Sequence, residues 1–406
     1  MREMVQRWRG GIYIREIDKA CVVAPGTIAS NSLANTTTSL EATMLRAAEV
    51  ATTMAAVALV VAIALSTAPA ASAIDYTEHD LASETSLWAL YERWCAHYNM
   101  ARDVGEKTRR FDLFKENARR IYEHNQAGNA TYTLGLNRFS DMTDEEFSNS
   151  PYRGCLTTAP VVQRMSDGEN EELQQEDDGS FNLTDGGATA ALGLPPAVDW
   201  RGRAVTRVKD QGLGCGSCWA FSAIAAVEGI NAIRTRNLVP LSEQQLVDCD
   251  KGNHGCNGGF MPTAFDFIKP RHRAGGAYPY MGRQGRCQHA TAPPVTIDGY
   301  RKVPPFNANA LMSAVAAQPV AVAIEAGAWE FRHYRGGVFS GNCGGKLGHA
   351  ATAVGYGADA GGPFWIVKNS WGPGWGEGGY VRISRNTPVR QGVCGILTES
   401  SYPLKR

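Results

Sequence analysis

The chain has no excess of either charge: 40 basic and 40 acidic residues cancel over 406 positions. A nucleic-acid partner, which would call for a basic surface, is therefore not expected. The most apolar run, residues 54–65, has 12 residues, well short of the roughly 20 needed to cross a bilayer. No internal repeat is present. No second C-x-x-C and no His pair stands at zinc-finger spacing beside Cys215 and Cys218, and no βαβ pattern precedes them. Zinc and dithiol-redox readings of that motif lack their context, and no metal or other cofactor is expected.

The short apolar run has a use of its own. It is followed by Ala71, Ser72 and Ala73, a small-x-small cleavage pattern, and Arg46 gives it a weak positive flank. Residues 1–73 read as a leader ending in a signal peptide cut after Ala73, with an uncleaved signal anchor as the alternative. Met44 offers a later start, which would remove residues 1–43 from the translated chain. A secretory route follows, ending in a lysosome or vacuole or outside the cell, where disulfides persist. Ten cysteines are present.

Three regions follow the leader. Residues 81–150 are charged and helical in pattern: Trp88, Tyr91 and Trp94 recur at helix spacing, as do Phe111, Phe114, Ile121 and Tyr122. Residues 151–193 are rich in Ser, Gly, Gln and acid, from Asp167 to Asp185, with only Arg153 and Arg164 opposing. That composition buries too little to fold and predicts an exposed, cleavable linker. Residues 194–406 are compact in composition. A helix is expected from near Ser217 and a second after Ser242, where Ser242 and Gln245 resemble a capping box. Beyond about residue 295, short β-like runs separated by Gly and Pro begin at Val320, Ala351, Phe364 and Tyr380. A helical half followed by a strand half predicts an α+β fold of two subdomains with a cleft between them, preceded by a separate helical domain.

Cys218 carries the strongest chemical signal. A thiol becomes a good nucleophile as thiolate, favoured by a helix N-terminus and a nearby imidazolium. Cys218 stands in Gly216-Ser217-Cys218-Trp219 at an expected helix start. His349 heads an apolar strand-like run and supplies an imidazole from across the cleft. Asn369 offers an acceptor to orient the ring, and Trp371 would shield that contact. Alone, each has a plainer reading: His349 as a structural histidine, Asn369 as a turn residue, Gly258 and Gly259 as loop. His272, His289 and His333 keep the structural reading. Asn129 and Asn182 head glycosylation sequons, both before Leu194.

The cysteine lies in C-G-S-C-W, with His and Asn roughly 130–150 residues downstream, the papain pattern. Val198-Asp199-Trp200-Arg201, Gly255-Cys256-Asn257-Gly258-Gly259, Lys368-Asn369-Ser370-Trp371-Gly372 and Trp375-Gly376-Glu377-Gly378-Gly379-Tyr380 add to it, so that residues 194–406 resemble a papain/cathepsin L-type cysteine protease over their whole length. The charged helical region resembles that family's inhibitory propeptide. It carries Glu106, Arg110, Phe114, Asn117, Ile121 and Asn125 in the family's spacing, then Gly135, Asn137, Phe139 and Asp141. The resemblance implies a zymogen of a cysteine endopeptidase, acting on polypeptides through an acyl enzyme, with Cys218, His349 and Asn369 as catalytic residues. It implies an oxyanion hole from the Cys218 N–H and the Gln211 side chain. Three residues, rather than the family's usual two, separate Gln211 from Cys215; the extra one is expected to bulge outward.

By the same resemblance, substrate lies along Gly258 and Gly259. A pocket of Met261, Ala323, Gly348 and Ala350, with Glu399 at its end, favours bulky apolar and admits basic residues two before the cut. The disulfides implied are Cys215–Cys256, Cys249–Cys287 and Cys343–Cys394, leaving Cys218 as the odd thiol of residues 194–406; a disulfide at Cys218 would overturn this mechanism. Partners implied are the chain's own propeptide, released in acid through groups such as Asp141, and cystatin-like inhibitors, with a monomeric enzyme. Two other functions stay open: a catalytically impaired binding protein, and a peptide ligase that hands the acyl group to an amine.

Overall fold

The computed structural model describes residues 73–156, 193–269, 278–288 and 295–406. The leader run, the acidic stretch, His272, His289 and the Asn182 sequon lie outside them. No helix among the described residues is long and apolar enough to cross a membrane.

The first domain is built by three helices, α1 (Glu78–Leu81), α2 (Glu84–His97) and α3 (Val104–Ala127). On α2, Leu87, Leu90, Tyr91, Trp94 and Cys95 recur at three- and four-residue steps, and all are buried. On α3 the buried stripe is Phe114, Asn117, Ala118 and Ile121. The stripes meet in an aromatic cluster, with Tyr91 4.8 Å and Trp94 5.3 Å from Phe114 between ring centroids. Asp103 caps α3 by accepting from the Glu106 N–H at 2.8 Å. Gly128, at φ +63°, ends it in a left-handed turn.

The motif polar residues serve as struts. Arg110 joins Glu106 (3.1 Å) to Glu146 (2.8 Å), Glu146 lying on the short α4 (Asp144–Ser148). Asn125 exchanges two hydrogen bonds of 2.9 Å with the Leu134 backbone. Asp141, fully buried, meets Arg102 at 2.7 Å and the Tyr91 hydroxyl at 3.0 Å.

The second domain opens on β2 (Val198–Asp199), then α5 (Cys218–Thr235), α6 (Glu243–Cys249) and α7 (Met261–Ile268). Helix α5 is buried on every side over its first four turns, as its apolar composition demands. Ser242 caps α6 by accepting from the Gln245 N–H at 3.1 Å. A strand-rich half follows: β3 (Gly299–Lys302), α8 (Ala308–Ala317), β4 (Val320–Glu325), α9 (Trp329–Arg332), β5 (Tyr334–Phe339), β6 (Leu347–Asp359), β7 (Gly362–Lys368), β8 (Tyr380–Ser384) and β9 (Ser400–Leu404). With β1 (Tyr132–Leu134) contributed by the first domain, the sheet runs β1-β5-β8-β7-β6-β4-β9-β3, with β2 on β6. The fold is α+β, as expected.

Three details depart from the sequence reading. Helix α8 stands inside the expected all-strand half; its alanine-rich run favours helix and Asn307 caps it at 2.8 Å. Strand β1 (Tyr132–Leu134), within the first domain, pairs antiparallel with β5 of the second, Tyr132 opposite Gly337. Residues 151–156, assigned to the linker, are packed: Tyr152 and Cys155 are fully buried. Their composition is aromatic and apolar, unlike the acidic stretch beyond.

Candidate active site

Cys218 is the first residue of α5, and His349 lies near the start of β6, which pairs with β4 and β7. These two elements pack against each other, Ser222 Oγ donating to Ala351 O at 2.5 Å and Thr352 Oγ1 to Ser222 O at 3.3 Å. Cysteine and histidine are thereby fixed on opposite walls of one cleft. The His349 Nε2–H donates to Asn369 Oδ1 at 2.7 Å, which fixes the tautomer and leaves Nδ1 facing the cleft sulfurs. Trp371 covers the ring at 5.0 Å between centroids. Burial pushes the His349 pKa down to about 4, against the opposing pull of Asn369.

Gln211 is fully buried. Its side-chain oxygen accepts from Ser370 Oγ at 2.7 Å, and its amide donates to Pro151 O at 2.9 Å. A carbonyl oxygen thus sits in front of the amide expected to stabilise an oxyanion. The extra residue before Cys215 does bulge: Leu213 is 57% exposed, and Gly212 takes φ +72°.

Residues 151–156 occupy the cleft. The Cys155 and Leu156 N–H groups donate to Gly348 O at 3.3 and 3.2 Å, and Gly259 N–H donates to Cys155 O at 3.2 Å. Leu156 packs against the apolar cluster that contains Met261, Ala323 and Ala350. A side chain at Gly348 would strike Arg153 O at 2.8 Å, and one at Gly259 would strike Trp219 at 2.5 Å. Glu399 is 7% exposed and faces Lys302 Nζ at 3.3 Å. Its backbone oxygen accepts from the Ala323 N–H at 2.8 Å. Burial raises its pKa, with Lys302 opposing.

The structure pairs Cys215 with Cys256, Cys249 with Cys287 and Cys343 with Cys394. A fourth disulfide joins Cys218 to Cys155. This corrects the expectation that Cys218 is a free thiol. The pairing expected within residues 194–406 left out Cys155, which the packed segment carries into the cleft. Cys218 cannot attack in this covalent state. Within residues 194–406 its sulfur is still the odd one. The ring nitrogen Nδ1 of His349 lies 3.5 Å from Cys155 Sγ. The missed signal was in the sequence: of the two cysteines between residues 73 and 194, Cys95 sits on an amphipathic helix face and Cys155 does not.

Another correction concerns Asp141. Desolvation by burial outweighs Arg102 and raises its pKa. A raised carboxylate pKa favours the folded form in acid, so Asp141 does not weaken the propeptide on acidification. Glu146 has the opposite sign: Arg110 holds it below its ordinary value. His333 is structural, fully buried, with its Nδ1–H donating to Trp329 O at 3.0 Å.

Residues 194–404 match the family model described as papain family cysteine protease, and residues 91–147 match the cathepsin propeptide inhibitor domain (I29). The thiol protease SEN102 of Hemerocallis sp. is 50% identical over 349 residues, covering 84% of this chain and 93% of that one. Vignain of Vigna mungo is 48% identical, covering 82% and 90%. Among solved structures, the proform of Amb a 11, a cysteine protease and major ragweed pollen allergen, is 40% identical with a TM-score of 0.70, covering 82% of this chain and 98% of that one. With a peptidase domain and a propeptide inhibitor domain in one polypeptide, the chain belongs to the papain family of cysteine proteases, as the zymogen of a cysteine endopeptidase.

Proposed function

We propose that Cys218, once freed, is the nucleophile of this endopeptidase, with His349 as its acid and base and Asn369 as the ring's orienting acceptor. The observation that carries this reading is the His349–Asn369 hydrogen bond of 2.7 Å, which leaves Nδ1 on the side where the Cys155 and Cys218 sulfurs lie, within 4.8 Å of the ring nitrogen. The Cys218 thiolate attacks the peptide carbonyl and His349 protonates the departing amine. The ring then takes a proton from water, which hydrolyses the thioester. The Gln211 amide and the Cys218 N–H hold the oxyanion; Pro151 O, 2.9 Å from that amide, occupies the same position in the precursor. The outward Leu213 supports an intact hole, against the reading of an impaired binding protein.

Substrate lies along Gly258 and Gly259, where missing side chains admit its backbone. Met261, Ala323, Gly348 and Ala350 take an apolar side chain two before the cut, the role that Leu156 mimics. Glu399 adds tolerance for arginine. In the same reading, residues 1–73 are a leader, 81–150 the inhibitor, and the linker is cut shortly before Leu194. The mature enzyme works as a monomer in a vacuole or lysosome or outside the cell, where cystatin-like proteins would meet its open cleft.

An active-site-directed epoxide tests this on the reduced, matured protein. Labelling of Cys218, lost in Cys218→Ser, is expected; labelling elsewhere rejects the assignment. Mass analysis of the products of one cleaved peptide separates hydrolysis from ligation.

A further inference from the structure

The cleft segment does more than obstruct. Its backbone is held on both sides of Cys155, by Gly348 O and by the Gly259 N–H. Upstream, Pro151 O is held by Gln211, and Tyr152 lies edge-on to Trp371 at 5.9 Å. Gly216, two residues before Cys218, lies against the segment: a Cβ there would be in van der Waals contact with the Cys155 Cα at 3.5 Å. The register so fixed brings the Cα atoms of Cys155 and Cys218 to 5.6 Å, inside the 4.4–6.8 Å that disulfides span. Both sulfurs are sealed from solvent.

We propose that the Cys155–Cys218 disulfide is a covalent lock on the zymogen, so that activation requires a dithiol reductant as well as acid. This rests on the reading of Cys218 as nucleophile. A linker cut between Leu156 and Leu194 leaves the propeptide tied to the enzyme through sulfur. Acid loosens the non-covalent contacts and exposes the bond without breaking it. Release is a thiol–disulfide exchange. One thiolate of the dithiol attacks Cys155 Sγ, the S–S bond breaks, and Cys218 leaves as thiolate. The reductant's second thiol then attacks the mixed disulfide and frees the Cys155 thiol. Two electrons pass from the dithiol, which ends as its own disulfide; its two protons go to Cys155 and to the Cys218–His349 pair. Attack at Cys155 is favoured because the better leaving thiolate is the one stabilised at a helix N-terminus beside an imidazole.

The test uses the full precursor from an oxidising compartment, quenched in acid and then alkylated in denaturant so that buried free thiols are trapped before they can exchange. Peptide mapping without reduction should recover the Cys155 and Cys218 peptides joined, with Cys95 the alkylated site among the described cysteines. Two alkylated thiols at Cys155 and Cys218, or zinc bound between them and His349, would overturn the lock. Acidification under argon should give the wild-type precursor at least about a hundredfold more activity with dithiol than without. Cys155→Ser and Cys155→Ala should respond to acid alone, their activities with and without dithiol agreeing within about threefold. An equal dithiol requirement in wild type and both variants rejects the proposal. Should the variants fail to fold, the wild-type map decides. Epoxide labelling of reduced wild-type enzyme is scored separately, so failure of the nucleophile assignment is distinguishable from failure of the lock.

Discussion

Glu399 has an unusual setting for a carboxylate. It is nearly buried, its Oε1 accepts no hydrogen bond among the described residues, and the facing cation Lys302 is half exposed. A guest arginine would supply a second, drier partner. In Glu399→Ala, kcat/KM for an Arg-Arg fluorogenic peptide should fall relative to Phe-Arg by roughly tenfold, the effect of about 1.4 kcal/mol; an unchanged ratio places Glu399 outside the pocket. Because burial raises its pKa above 4.5, arginine acceptance should decline in milder acid than an ordinary glutamate would allow. Leu213 is the contrasting residue. Its side chain stands in solvent, so Leu213→Ala should leave stability within about 0.5 kcal/mol in denaturant titration. Gln211→Ala should lower kcat by about 10²–10³ in steady-state kinetics.

Between elements, charge pairs hold the propeptide to the enzyme. Asp144 at the start of α4 meets Arg332 at 2.8 Å, and Arg332 is 1% exposed. Arg138 pairs with Asp210, and Trp329 Nε1 donates to Asn117 Oδ1 at 2.7 Å. Asp144 is 79% exposed, so replacing it by Ala should cost the precursor about 0.5–1 kcal/mol. The mature enzyme, which lacks residue 144, is spared. Under reducing conditions the Asp144→Ala precursor should therefore mature faster at neutral pH, followed by gel and active-site titration. An unchanged rate means the pair contributes nothing to the hold.

For the whole molecule, the pH response is set by which carboxylates gain and which lose on folding. Glu146, lowered by Arg110, contributes stability that is full above its ordinary value of 4.5 and lost as pH falls below it. Asp141, raised by burial, has the reverse sign. With reductant present, Glu146→Gln should flatten the acid dependence of propeptide release, whereas Asp141→Asn should not; the opposite ranking in a pH series of release rates would falsify this assignment. Much of this architecture was legible beforehand. The α2 and α3 stripes, helix α5 and the positions of Cys218, His349 and Asn369 all follow from local pattern plus a long family motif. What escaped depends on pairing across distance. Tyr132–Leu134 is three residues long and is a strand only because β5 offers an edge. Cys155 gains its meaning from a register set by Gly348 and Gly259. The sign at Asp141 follows from its complete burial, which no charge count reveals.

Beneath the cleft lies a buried chain of polar groups. Lys368 on β7 donates to Thr206 Oγ1 at 3.1 Å, and Thr206 donates to Glu228 on α5 at 2.6 Å. Lys209 bridges Glu228 (3.2 Å) and Glu243 (2.5 Å). The links tie both walls of the cleft to one floor, and burial presses the Lys368 pKa down to about 8. Such a floor works as the fixed base of a vice: hinging the two walls apart would strand these charges out of water, so it opposes that motion. On the proposed substrate reading, differences in guest size would fall to the side chains lining the walls, such as the pliable Met261.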